Sequence, residues 1–149
     1  MIVKNAGEVR IGRRTTIEEC YLLADGAKID IGEDCMISFQ VALRTTDAHG
    51  IYDRESGVLL NPPDDIRICD HVWIAQGAIV GKGSVIGKDC VVGGRSYLNK
   101  KTFAPGCLIA GAPPTVLREN IVWDRRMTDN LYAEDADVDP HNPIFRERT

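Results

Sequence analysis

The stretch from Ile68 to Leu98, ICDHVWIAQGAIVGKGSVIGKDCVVGGRSYL, places an aliphatic side chain at every sixth residue. The spacing continues to Ala104 and Ala110, and it recurs upstream in two shorter series. The aliphatic positions are Ile68, Ile74, Val80, Ile86, Val92 and Leu98, preceded by Ile11, Ile17 and Leu23 and by Ile31, Ile37 and Leu43. A helix would repeat its apolar positions near every 3.6 residues, and a half-buried strand every 2. A six-residue period is instead typical of a parallel β-helix.

Each six-residue unit predicts a short strand followed by a tight turn. The aliphatic residue points inward, a small residue four positions later fills the corner, and a glycine often follows the aliphatic residue, where the backbone φ can turn positive. Three units close one triangular coil, and successive coils pair like strands about 4.8 Å apart. The sequence thus predicts an all-β fold of about five coils over residues 1–127, with a bulged corner near Asp25 and Gly26.

A long excursion interrupts the period between Leu43 and Ile68, where the spacing is 25 residues instead of six. We predict that residues 44–65 form an ordered, functional loop, because the segment carries apolar residues with which to dock. After Gly111-Ala112-Pro113-Pro114, a short C-terminal extension is expected to pack back on the coils as a helix or a strand. The acidic residues 128–149 are expected to form a polar tail.

Composition narrows the possible partners and location. The net charge is −4 and the basic residues are scattered, which argues against a nucleic-acid partner. No apolar run approaches 18 residues and no signal peptide precedes Lys4, so we expect a cytoplasmic protein without membrane insertion. Of the five cysteines, Cys35 and Cys90 occupy small-residue positions and Cys69 a glycine position, which indicates packing rather than disulfides.

His49 is the strongest candidate for chemistry among the three histidines. It stands in the middle of the excursion loop, where a neutral imidazole is suited to act as a general base or simply lies in solvent. Asp47, or Asp53 as a second choice, could hold its tautomer. His71 is expected on a surface turn and His141 in the tail. A catalytic zinc would need three converging ligands, and no third histidine lies in the coils, so no metal is expected.

The chain resembles the hexapeptide-repeat acyltransferases, left-handed parallel β-helix proteins, and most of all their branch that O-acetylates sugars and cell-surface polysaccharides. The resemblance rests on Asp47-Ala48-His49-Gly50-Ile51-Tyr52-Asp53, on Gly57 and Asn61-Pro62, on Val72-Trp73-Ile74, and on Ala110-Gly111-Ala112-Pro113 with Val116-Leu117-Arg118. The chain departs from the family pattern at Ala75, at Gly93-Gly94-Arg95-Ser96 and at Asn99-Lys100-Lys101, which affects the expected coenzyme A groove more than the base.

The resemblance implies a homotrimer with acetyl-CoA as co-substrate, bound in a groove between neighbouring chains. His49 would be the general base, and Trp73 would flank the thioester. The other residues at family positions for coenzyme A are Gln76, Gly94, Asn99, Lys100 and Arg118, the last of them meeting phosphate. Glu18 and Asp25 are expected to contact the acceptor.

The expected activity is transfer of an acetyl group from acetyl-CoA to the hydroxyl of a sugar or polysaccharide. Three other functions compete with it. They are N-acetylation of an amino sugar, a catalytically inactive trimeric scaffold and a metal-dependent hydratase. Substrate tests, coenzyme A binding and elemental analysis distinguish them.

Overall fold

Sixteen short β-strands build the part of the chain that the computed structural model describes, residues 1–126. The strands of the first two turns are β1 (Ile2–Lys4), β2 (Glu8–Ile11), β3 (Thr16–Ile17), β4 (Cys20–Asp25), β5 (Lys28–Ile31) and β6 (Met36–Ile37). The next two turns contain β7 (Val41–Arg44), β8 (Ile66–Ile68), β9 (Trp73–Ile74), β10 (Ile79–Gly81), β11 (Val85–Ile86) and β12 (Val91–Val92). The fifth turn contains β13 (Tyr97–Leu98), β14 (Thr102–Phe103) and β15 (Leu108–Ala110), and β16 (Thr115–Arg118) follows it.

Every third strand joins the same sheet, which makes the molecule a three-sided β-helix of five turns. Sheet A has the order β1-β4-β7-β10-β13, sheet B the order β2-β5-β8-β11-β14, and sheet C the order β3-β6-β9-β12-β15-β16. All pairs are parallel except β15 with β16. Corner AB joins sheets A and B within a turn, corner BC joins B and C, and corner CA leads to the next turn. The predicted parallel β-helix is confirmed.

The core is built from side chains that stack on their register partners in the next turn. In sheet C, for example, Ile17 pairs with Ile37, Ile37 with Ile74, Ile74 with Val92, and Val92 with Ile109. From Ile37 onward these side chains have no accessible surface. Because each aliphatic group covers the one before it, the six-residue period becomes a continuous apolar column.

The inward position shifts by one residue where a turn changes length. Leu22, not Leu23, pairs with Leu43, and Phe103 and Ile109 replace the predicted Ala104 and Ala110. The shift after Leu98 arises because Phe103 follows it at a spacing of five residues, whereas Ile86 follows Val80 at a spacing of six. Asp25 ends β4 and Gly26 follows it in the turn at corner AB, and the bulge expected there stays a prediction.

At Gly12, Gly32, Gly81 and Gly87 the positive φ does not fall on the glycine that follows the aliphatic residue. It falls two residues later, at Arg14, Asp34 and Asp89 with φ of 59°, 56° and 62°, and at Gly83. The glycine itself is needed for another reason, since a Cβ at Gly87 would lie 2.5 Å from the backbone nitrogen of Pro105 in the next turn. The repeat glycine thus permits close stacking of the backbones.

The C-terminal extension runs back along corner BC, from the fifth turn toward the first. The Ile121 amide donates to the Gly106 carbonyl, and Trp123 is buried against His71. Arg125 donates to the Thr16 hydroxyl and to the Asp34 and Cys35 carbonyls. The extension is a strand followed by an extended strap. Met127, the tail 128–149 and His141 lie outside the described residues.

Candidate active site

The excursion between β7 and β8 is an ordered hairpin at corner AB. Tyr52 and Leu59 form an antiparallel bridge, and the Leu60 amide donates to the Ile51 carbonyl at 2.7 Å. The Asp53 carboxylate accepts from the amides of Glu55 and Ser56 and closes the tip. The large apolar side chains by which the loop was expected to dock face solvent instead: Ile51, Tyr52, Val58, Leu59 and Leu60.

A buried lysine holds the base of this hairpin. Lys82 Nζ lies 2.6 Å from Asp47 Oδ2 and 2.9 Å from the Asn61 carbonyl oxygen. Asn61 Nδ2 donates to Asp47 Oδ2 and to the His49 carbonyl, both at 2.9 Å. The ammonium of Lys82 and the amide of Asn61 hold the pKa of Asp47 below its usual value.

His49 is exposed at the start of the hairpin, where Gly50 leaves room for the Tyr52 ring. The hydrogen bonds of the Asp47 carboxylate go to Lys82 and Asn61, and those of Asp53 go to its own turn, rather than to the His49 ring. The expectation that either carboxylate orients the imidazole is therefore not met in this structure. The role of His49 as a base stays a prediction.

A cavity of about 410 Å³ lies on the outer face of sheet A, beside the base of the hairpin. Its floor is formed by Tyr21, Ala42, Ile79 and Tyr97, which occupy one register row of four successive strands. Arg44 and Asp47 border it, so apolar and charged groups meet in one open depression at the base of the hairpin that carries His49.

The predicted coenzyme A residues fall into two groups. Trp73 and Arg118 lie in one outward row of sheet C, through the pairs Trp73 to Val91, Val91 to Leu108 and Leu108 to Arg118. Gln76 and Gly94 lie on successive turns of the adjoining corner CA, where the Arg95 amide donates to the Gln76 carbonyl. These four residues form the first group.

The second group, Asn99 and Lys100, lies at corner AB, below the hairpin. The Lys100 amide donates to the Lys82 carbonyl at 2.9 Å, and the Asn99 side chain fills the space beside Gly81. Sheet A therefore separates Asn99, Lys100 and His49 from the group that contains Trp73. Within one chain, the predicted residues do not converge on a single point.

The two expected acceptor contacts also separate. Glu18 is exposed at corner CA, whereas Asp25 ends β4 at corner AB. The Asp25 carboxylate is already bound, at 2.7 Å by Asn5 Nδ2 and at 3.1 Å by Lys4 Nζ, and these groups lower its pKa. The structure thus gives Asp25 a part in holding the first two turns together.

The sequence analysis did not predict a structural role for Lys82, for Trp123 or for the side chain of Asn61. The Trp123 ring stacks on His71 at 4.2 Å between centroids and lies 6.1 Å from Trp73. His71, expected on the surface, is thereby buried. The signal for Asn61 was its place in the Asn61-Pro62 motif, whereas Lys82 between two glycines looks like any exposed turn.

The remaining chemical candidates are limited. Residues 1–126 contain no group of three or more histidine, cysteine or acidic side chains placed to hold a metal ion. Burial raises the pKa of the Cys20, Cys35 and Cys90 thiols to about 11, so these side chains are protonated packing groups. Within the same residues, no helix could cross a membrane.

Comparison with known proteins identifies the family. The model of the bacterial transferase hexapeptide, six repeats, matches residues 65–100. The polysialic acid O-acetyltransferase of Escherichia coli O1:K1 is 37% identical over 136 residues, which are 91% of this chain and 44% of that protein. The chain belongs to the hexapeptide-repeat transferase family. It spans about half the length of the curated relatives it matches.

Solved structures of hexapeptide-repeat transferases agree with this assignment. The crystal structure of the polySia-specific acetyltransferase NeuO superposes with a TM-score of 0.77 at 35% identity, over 80% of this chain and 52% of that one. A hexapeptide-repeat acetyltransferase from Vibrio cholerae O1 biovar eltor, in complex with acetyl coenzyme A, gives a TM-score of 0.64 at 30% identity, over 74% and 60% of the two chains.

Proposed function

We propose that this hexapeptide-repeat transferase moves an acetyl group from acetyl-CoA to a hydroxyl of an acidic polysaccharide, with His49 as general base. The observation that carries the proposal is the exposed His49 on an anchored hairpin at corner AB. The group around Trp73 lies on the other side of sheet A, at corner CA and on sheet C. The names of the relatives, polysialic acid O-acetyltransferases, support the class of acceptor.

The active site is formed between chains of a homotrimer. One chain supplies His49, Asn99 and Lys100, and a neighbour supplies Trp73, Gln76, Gly94 and Arg118. Two features support this arrangement. The first is that the two groups lie on opposite sides of sheet A, at corner AB and at corner CA with sheet C. The second is that the hairpin next to His49 exposes Ile51, Tyr52 and Val58, which a neighbouring chain would cover.

In the reaction, a ring nitrogen of His49 accepts the proton of the acceptor hydroxyl while the oxygen attacks the thioester carbonyl carbon. The tetrahedral intermediate collapses, the carbon–sulfur bond breaks, and the coenzyme A thiolate takes the proton from the imidazolium. The products are the acetyl ester and free coenzyme A. Assistance by such a base contributes roughly 10²–10⁴ in rate.

The position of Arg44 favours an acidic acceptor. It borders the cavity on sheet A and makes no ion pair within residues 1–126, so its guanidinium is available to a carboxylate of the acceptor. The site is thus suited to a polymer of carboxylated sugars, in agreement with the acceptor that the relatives' names give. A cytoplasmic location remains an expectation.

The test is release of coenzyme A thiol from acetyl-CoA by wild type and His49→Ala, with acidic and neutral oligosaccharides and an amino sugar as acceptors. We expect turnover only with the acidic oligosaccharide, and a loss of at least about 100-fold in His49→Ala. Equal activity in the variant would remove His49 from the mechanism. No turnover and no binding of coenzyme A would favour the scaffold, and acetylation of the amino sugar alone would favour the N-acetyltransferase.

A further inference from the structure

The Asn61 side chain joins the two strands of the hairpin beside His49. Its Nδ2 donates to Asp47 Oδ2 and to the His49 carbonyl at 2.9 Å, and its Oδ1 accepts the Ile51 amide at 2.7 Å. Asn61 therefore contacts residues 47, 49 and 51 from the returning strand. The main chain on both sides of the imidazole is fixed by one carboxamide.

Lys82 anchors this closed hairpin to the β-helix. Its side chain is 2% exposed, and its ammonium reaches both strands of the hairpin, at Asp47 Oδ2 and at the Asn61 carbonyl. Lys82 lies in the turn at corner AB that follows β10. The glycines on either side of it are constrained by close packing and by backbone conformation. A Cβ at Gly81 would lie 2.8 Å from Asn99 Oδ1, and Gly83 has φ of +66°.

We propose that Lys82, acting through Asp47 and Asn61, is a positioning residue that holds His49 at the height of the fourth turn. This inference rests on the proposed role of His49. A flexible 21-residue excursion would otherwise let the imidazole sample many positions, and a displacement of about 1 Å can cost about 100-fold in rate. Two of the three ammonium donors of Lys82 bind the hairpin and its side chain is 2% exposed, so Lys82 acts through the hairpin and not on the reacting atoms.

The experiment compares Lys82→Met with Lys88→Met, an exposed lysine of the same turn at corner BC. We expect Lys82→Met to lower kcat by about 10- to 100-fold, while the Kd for coenzyme A changes less than about threefold. Amide hydrogen exchange within residues 47–61 should rise in Lys82→Met by more than the increase that the lower free energy of unfolding causes in the coils. Lys88→Met should match wild type in all three measurements.

Asn61→Ala is the second variant, for the case in which Lys82→Met does not fold. It removes the bonds to residues 47, 49 and 51 without touching the coil, and we expect the same split between kcat and coenzyme A affinity. Unchanged kcat in a folded variant, or a uniform rise of exchange over the whole chain, would overturn the proposal.

The exchange measurement separates this proposal from that of the general base. If His49→Ala remained active but Lys82→Met loosened only residues 47–61, the base assignment would fail while the anchoring of the hairpin stood. If His49→Ala were inactive and Lys82→Met fully active, the anchor would have no part in positioning His49.

Discussion

At the scale of single residues, the ion pair between Lys82 and Asp47 is asymmetric. The Lys82 side chain is 2% exposed, whereas the Asp47 side chain is 44% exposed. If Lys82 is removed, water can solvate the carboxylate that remains. If Asp47 is removed, a buried ammonium loses its counter-charge, which is the more costly change.

We therefore expect Asp47→Asn to lower the free energy of unfolding by about 3–5 kcal/mol and Lys82→Met by about 1–3 kcal/mol. Urea unfolding at one fixed protein concentration measures both. The control is Lys28→Met, which removes a surface pair with Glu8 and should cost less than about 1 kcal/mol. An equal or reversed order of the two variants would contradict the asymmetry.

The same pair gives a defined pH dependence. The folded protein lowers the pKa of Asp47, so the contribution of this carboxylate is present above its unfolded pKa of about 3.9 and is lost as the pH falls through the folded pKa. The stability difference between wild type and Asp47→Asn should shrink below about pH 4. Since Asp47 is partly exposed, solvent screening reduces the size of this effect.

At the scale of the element, the repeat glycines test how the turns stack. Gly87→Ala would place a Cβ 2.5 Å from the Pro105 backbone nitrogen, which no side-chain movement relieves. We expect it to cost at least about 3 kcal/mol. Gly57→Ala in the hairpin has no atom within 4 Å but has φ of +69°, so only the backbone conformation opposes it, at about 1–2 kcal/mol.

Thermal unfolding of the two glycine variants checks this difference. A Tm of Gly87→Ala at or above that of Gly57→Ala would show that the turns can move apart. It would then follow that the glycine after the aliphatic residue is not required by the stacking of the backbones.

The sequence predicted the coils well because each six-residue unit depends on its immediate neighbours. It failed at Leu23, Ala104 and Ala110, where a turn of different length shifts the register, and length is decided by local backbone geometry. The burial of Lys82 could not be predicted, because this side chain is covered by the hairpin of residues 47–61, which is distant in sequence. The partners of Asp47 were missed for the same reason.

At the scale of the whole molecule, the proposed composite site makes a prediction about mixed oligomers. His49→Ala and Trp73→Ala should each be inactive alone. When the two chains are co-expressed with different tags and the doubly tagged oligomers are isolated, some sites receive both intact residues. In a trimer that contains both variants, about one site in three receives an intact His49 and an intact Trp73. No recovery in verified mixed oligomers would place both residues in one chain's site.

The strap along corner BC has a consequence for the order in which the molecule is completed. A linear stack of turns can grow one turn at a time as the chain leaves the ribosome. Arg125, however, binds Thr16, Asp34 and Cys35, partners that were synthesised 90 to 109 residues earlier. The first two turns are therefore stacked before the segment that binds them is synthesised. Only a chain translated past Arg125 gives these turns their full resistance to fraying.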